Sequence, residues 1–189
     1  MANPLSTVPT TANELDAMPD DGNRYEIIDG ELFVTPTPSR AHQQIQMRLI
    51  LLLGPYAESL GLELMAAPTD VRASDTTQVE PDLLVIPKHF EGRTATRWEQ
   101  MSRLLLSVEI LSPSTARLDR ELKRTLYTAH GVCEYWIVDG DAECIDVWTS
   151  SARAPHVVRD VLAWQPLPER DALAIDVVAL FRDVHENDA

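Results

Sequence analysis

The sequence predicts an α/β (α+β) fold: a mixed central β-sheet flanked by helices, with an N-terminal β-hairpin. Three observations carry this expectation. Two apolar runs, residues 79–86 (VEPDLLVI) and 104–111 (LLLSVEIL), have the β-branched and leucine content of strands covered on both faces. Two stretches repeat apolar residues at helical spacing, and Asp-Gly pairs twice separate strand-like segments. The chain has 189 residues, 44% of them hydrophobic, which suffices for one core. No internal repeat divides it, so residues 1–23 read as a loose arm and 24–189 as a single domain.

The elements follow in order. The arm is rich in Thr, Pro, Asn and Asp and holds one short helix near residues 12–18. RYEII and ELFV surround Asp29-Gly30 and form a hairpin over 24–34. Pro36-Thr37-Pro38 breaks the chain, and Ser39 is a helix N-cap. Ala41, Ile45, Leu49 and Leu53 then recur every fourth residue, the mark of an amphipathic helix that Gly54-Pro55 kinks or ends. Short strands at 62–67 and 70–73 precede the two central runs. Over 117–130, Leu118, Leu122 and Leu126 form the buried stripe of a helix that Gly131 stops. Strands at 133–138 and 143–149 meet at Asp139-Gly140, an outer strand spans 156–163, and a short helix closes the chain at 176–182.

Composition narrows the function. The net charge of −14 argues against simple sequence-independent DNA binding, which depends on Lys and Arg neutralising phosphates. The acids concentrate at the ends: Glu14, Asp16, Asp20 and Asp21 face no basic residue in the arm, and Asp183, Glu186 and Asp188 close the chain. Arg117, Arg120, Lys123 and Arg124 cluster, either as a solvated helix face or as a patch facing phosphate. The longest aliphatic run, Leu49 to Leu53, falls far short of the ~20 residues of a spanning helix. No secretory signal is visible and two cysteines make no disulfide framework, so a cytoplasmic protein with two buried thiols is expected. Serine-hydrolase, zinc-protease, Walker and dinucleotide motifs are absent.

Two residues break the apolar strands: Asp82 and Glu109. An unpaired buried carboxylate is expensive, so each must find a basic partner, sit at a strand end, or share a cation. Two such acids on neighbouring strands would make a hard-oxygen site suited to Mg²⁺ or Mn²⁺. Glu80 shares a strand face with Asp82 and could enlarge the cluster. Lys123, one of only two lysines, stands four residues from Asp119 and from Tyr127. That stripe lies about 100° from the leucine stripe, which places Lys123 at the helix–sheet edge, either over the carboxylates or paired with Asp119.

Pro81-Asp82, then Glu109-Ile110-Leu111, then Lys123 on the following helix, resembles the PD-(D/E)XK nuclease superfamily with a migrated lysine. Leu111 stands where that pattern has its lysine. RYEIIDGELFVTPTPSRAH, VEPDLLVI, LSVEILSPST, the Asp119–Lys123–Tyr127 spacing and GVCEYWIVD together resemble the bacterial putative restriction endonuclease family of the Uma-two type, from about Arg24 to Trp148. The resemblance implies a restriction-endonuclease-like core and a metal-dependent phosphodiesterase site. Asp82, Glu109 and the Ile110 carbonyl would hold Mg²⁺ or Mn²⁺, and Lys123 would orient water and stabilise charge on phosphate. Glu26 and His42 are second candidates for the site, and Ser114, in the Ser112–Thr115 cap, could touch phosphate. Tyr135 and Trp136 are assigned to core or dimer packing, with substrate contact as the alternative, and Trp98, Trp148 and Trp164 to ordinary exposed or half-buried positions. The reading is a DNA endonuclease acting on nucleic acid as a homodimer, since cutting both strands calls for two related sites. A catalytically inactive binding or regulatory module, or a phosphodiesterase acting on RNA or another phosphate ester, remain the alternatives.

Overall fold

Asp29 and Gly30 both take left-handed backbone, with φ of 52° and 80°. This is the geometry of a two-residue hairpin turn, and it closes β1 (Arg24–Ile28) onto β2 (Glu31–Thr35) in antiparallel register. The computed structural model describes residues 8–88 and 104–184. Ahead of the hairpin, Thr11 caps the short helix α1 (Ala12–Leu15) through a capping box with Glu14. Ala12 and Leu15 are buried, and the Ala12 N–H donates to the Asp75 carbonyl, so this part of the arm is docked rather than loose.

Ser39 caps α2 (Arg40–Ser59), its hydroxyl accepting the His42 N–H. Gly54-Pro55 does not end this helix: Pro55 lies inside it. The carbonyl that Pro55 leaves without a donor belongs to Leu51, which is 67% exposed, where water can serve it. The strands that follow are β3 (Leu62–Ala66), β4 (Val71–Ser74), β5 (Thr77–Val79) and β6 (Leu83–Pro87). The run 79–86 is thus two strands, not one. Glu80-Pro81-Asp82 forms a corner between sheets, and Pro81 has no N–H to give to a ladder.

After β7 (Leu106–Ile110), helix begins at residue 116, passes through a π-helical turn (Leu118–Lys123) and continues as α3 (Arg124–Ala129). It crosses over to β8 (Glu134–Asp139), which lies parallel to β7. The chain ends with β9 (Cys144–Thr149), β10 (His156–Val158), β11 (Val161–Trp164), β12 (Leu173–Asp176) and α4 (Val177–Phe181). The expected outer strand over 156–163 is also divided, since β10 and β11 belong to different sheets.

The main sheet has six strands in the order β10-β9-β8-β7-β6-β3, and the hairpin belongs to a second sheet, β2-β1-β5-β4. On one face of the main sheet, Ile45, Leu49, Leu53 and Ala57 of α2 pack against Leu83, Val85 and Val108. On the other, Tyr135 and Ile137 meet Leu118 and Tyr127 of the crossover helix and Ile28, Val71 and Val79 of the second sheet. The leucine stripe expected on the crossover helix is only partly buried. Leu118 is buried, but Leu122 is 41% exposed, and the inward stripe is Asp119, Lys123 and Tyr127. The inward stripe keeps the every-fourth-residue spacing through the π turn, and the acids on the facing strands hold this polar stripe in.

Trp136 is buried, as expected. Trp164, expected near the surface, is also fully buried and stacks edge-on against Trp136 and Tyr56. Trp98 lies outside the described residues. Cys133 and Cys144 are thiols, not a disulfide.

The faces of α2 can be checked by unfolding. Leu49→Ala, at a fully buried position, is expected to lose about 2–5 kcal/mol in a denaturant titration. Leu51→Ala, on the exposed side, is expected to stay within about 0.5 kcal/mol of the parent.

Candidate active site

Strand pairing brings the two central acids together. β6 and β7 run antiparallel with Leu83 opposite Val108, and one step further along that register Asp82 faces Glu109. Alternation on β7 sends Leu106, Val108 and Ile110 towards the core beneath α2 and Glu109 towards the crossover helix. There the Lys123 ammonium lies 3.1 Å from Glu109 Oε1, and the Tyr127 hydroxyl donates to the same oxygen at 2.9 Å. The hairpin supplies a third acid. Glu26 Oε1 lies 2.9 Å from Lys123 Nζ and accepts the Glu80 N–H. Asp119, one turn before Lys123, holds Oδ1 at 3.5 Å from the same ammonium. Glu26, Asp82, Glu109, Asp119 and Lys123 are each no more than 2% exposed.

Asp82 is gripped from three elements. Arg24 of β1 donates to Oδ1 at 3.0 Å, His42 Nε2 of α2 sits 3.1 Å from Oδ2, and the Ile110 N–H donates to Oδ2 at 2.7 Å. Gln46, a turn beyond His42, donates to the Asp82 carbonyl. Burial works against ionisation here. The hydrogen bond and charge of His42, the Arg24 guanidinium and the Ile110 N–H outweigh it and hold Asp82 down at about 2. Glu109 is pushed well above the usual carboxylate range, first by burial and then by Asp119, Asp82 and Glu26, with Lys123 opposing. Burial likewise raises Asp119. Lys123 is raised well above the ordinary lysine value: burial favours the amine, but Glu109, Glu26 and Asp119 prevail.

Asp82, Glu109, Lys123, Glu26 and His42 converge. Glu80 stands at the margin, tied to Arg24 Nε at 2.8 Å. Ile110 contributes its N–H to Asp82, and Ser114 lies exposed on the lip of the cavity above. Each buried acid has a basic partner: Asp82, just before the start of β6, meets Arg24, and Glu109 meets Lys123. Arg24, Asp119 and Tyr127 complete the cluster and were not assigned to it from sequence. Arg24 and Glu26, two apart on one strand, carried the signal for a shared face. The basic cluster on the crossover helix divides. Lys123 turns inward, Arg120 pairs with Asp139 and Asp146, Arg124 covers the Trp148 ring, and Arg117 is exposed beside Glu121.

Five acids, Glu26, Glu80, Asp82, Glu109 and Asp119, thus meet two permanent cations, Arg24 and Lys123. Glu26 Oε2 is buried without a hydrogen-bond donor, and Asp119 Oδ1 has only the Lys123 ammonium at 3.5 Å. This surplus of carboxylate oxygens over donors suits a divalent cation. Among the described residues no three His, Cys, Asp or Glu side chains already form a coordinating group. A bound ion would therefore draw on carboxylate oxygens now turned to Lys123 and Arg24.

The mixed central sheet flanked by helices matches a nuclease fold. The Uma2 family, described as putative restriction endonuclease, matches residues 12–177, and the chain belongs to it. Its structure is similar to the crystal structure of a putative nuclease belonging to DUF820 from Anabaena variabilis. That likeness has a TM-score of 0.73 at 20% identity, covering 92% of this chain and 98% of the other. No curated protein matches the chain.

Two measurements in chelator test the electrostatics. Asp82 has a folded-state value of about 2 against an ordinary 3.8, so its stabilisation is complete above pH 3.8 and is lost as pH falls through about 2. Unfolding titrations are expected to show an acid-side loss of roughly 2 kcal/mol that Asp82→Asn lacks. Lys123→Met strands three buried carboxylates and is expected to cost about 3–5 kcal/mol at neutral pH. That cost should shrink as pH falls, because the raised values of Glu109 and Asp119 let them take up protons early.

Proposed function

We propose that this chain is a Mg²⁺- or Mn²⁺-dependent DNA endonuclease that hydrolyses phosphodiester bonds at the Asp82–Glu109–Lys123 centre. The observation that carries the reading is a buried ammonium set among more carboxylates than it can neutralise, at the floor of a cavity. Membership of a family described by nuclease activity supports it. Asp82 and Glu109, with the Ile110 carbonyl between the two strand ends, are the groups that would hold the metal. A bound divalent ion polarises a phosphoryl oxygen and lowers the pKa of its water.

The chain's own groups do the rest. Lys123 places a fixed positive charge where a phosphate oxygen gains density, and it orients the attacking water. Tyr127 and Lys123 both donate to Glu109 Oε1 and so fix that carboxylate. His42 and Arg24 hold Asp82 ionised in its position, ready to act as a ligand rather than as a base. Glu26, with Oε2 orphaned, is a further ligand candidate.

A second reading is supported by one observation: Asp82 has both oxygens engaged, so the chain could be a nuclease-like binding module without turnover. Cleavage of labelled DNA with Mn²⁺, combined with calorimetric titration of Mn²⁺, separates the two. Asp82→Ala, Glu109→Ala and Lys123→Ala are each expected to lower the cleavage rate at least about a hundredfold. The first two should also abolish Mn²⁺ binding, while circular dichroism confirms the fold. Variants that cleave like the parent overturn the assignment. Mn²⁺ binding that depends on Asp82 and Glu109 with no cleavage of any substrate identifies the module.

A further inference from the structure

Among the described residues, the cationic side chains that line the way into the centre are already paired with acids. The cavity above Asp82, Glu109 and Lys123 has a volume of about 190 Å³. One wall is the β2–α2 connection, in which Thr35, Thr37 and Ser39 alternate with Pro36 and Pro38. The other is the β7–helix connection, with Ser112, Ser114 and Thr115 around Pro113. The Ser112 hydroxyl lies 3.0 Å from those of Ser114 and Thr115, so the second wall is knit together. Three prolines stiffen the lip and no glycine lies in either wall.

The charged groups lining the cavity are already committed. Arg24 serves Asp82 and Glu80, and Lys123 serves the buried acids. A groove continues from Ser39, His42 and Ser112 past Arg120, Asp139 and Asp141, and Arg120 is committed to Asp139 and Asp146. A duplex presents two phosphate backbones, and its affinity rises with each phosphate a cation neutralises. An unpaired strand is thinner, can turn one phosphate inward, and needs fewer neutralised charges. Serine and threonine hydroxyls contact phosphate and sugar without a charge of their own.

From this the geometry points to an unpaired nucleic-acid strand as the substrate, threaded between the two hydroxyl-bearing walls, rather than a continuous duplex. The inference rests on the hydrolytic reading above and names its substrate class. It also removes the reason for expecting a homodimer, because one strand needs one centre.

The test uses the full chain and labelled oligonucleotides of one sequence: unpaired DNA, the same strand fully paired, and unpaired RNA. Binding is read by fluorescence anisotropy in Ca²⁺ and cleavage on gels in Mn²⁺. Unpaired DNA is expected to bind and be cut at least about tenfold better than the duplex, with a shallow salt dependence. Ser114→Trp, at an exposed lip position, is expected to weaken unpaired-strand binding while leaving the circular dichroism spectrum and Mn²⁺ titration unchanged. A duplex bound and cut as well as the single strand overturns the inference and leaves hydrolysis intact. Preferential binding of the unpaired strand without cleavage overturns hydrolysis, and with it the strand's role as substrate, and leaves only the preference for an unpaired strand as ligand. Preference for RNA alone keeps the unpaired strand and removes DNA. Binding of none of the three, or Ser114→Trp binding like the parent, overturns it.

Discussion

The Lys123 ammonium is the group around which the structure is arranged. It is 1% exposed and within 3.5 Å of carboxylates from a hairpin strand, a central strand and its own helix. A buried ammonium is tolerable only when paired, and so are the acids around it. Each partner is therefore held in place by the others: the second sheet must dock for Glu26 to arrive, and β7 must pair for Glu109 to arrive. The π turn that delivers Lys123 is the local distortion that this arrangement asks of the helix. Acids outnumber cations in the cluster, and burial among one another raises Glu109 and Asp119.

Asp82 shows how one short corner serves fold and site together. Pro81 ends the pairing of the second sheet and lets the chain cross into the main one. The next residue emerges opposite Glu109, where Arg24, His42 and the Ile110 N–H converge on it. Three elements distant in sequence fix one carboxylate, which keeps it ionised despite burial. Positioning of this kind is what a reactive centre needs before any substrate arrives, since side chains left to wander lose most of the benefit of proximity.

The distribution of charge around the centre is as informative as its contents. The chain carries a net charge of −14, and the arginines of the crossover helix lie mostly against their own acids or an aromatic ring. Long-range attraction of a polyanion by these groups is therefore weak. The cavity above the buried acids is rimmed by prolines and small polar residues.

Much of this was legible in the sequence, because local physics writes it there. Asp29-Gly30 dictates the hairpin turn, Ser39 and the Ile45–Leu49–Leu53 spacing dictate α2, and the acids within VEPDLLVI and LLLSVEIL announce buried charges that need partners. The Asp119–Lys123–Tyr127 stripe was visible as a spacing, but which stripe faces inward was not. Hydrophobicity favoured Leu122, and only the acids on β1 and β7 make the polar stripe the better one to bury. The partners of Asp82, the second role of the hairpin through Arg24 and Glu26, and the division of 79–86 between two sheets were likewise decided in three dimensions. Spacing along the chain reports which side chains share a face. Which face meets which depends on pairings between segments tens of residues apart, and those are settled by the energy of the assembled whole.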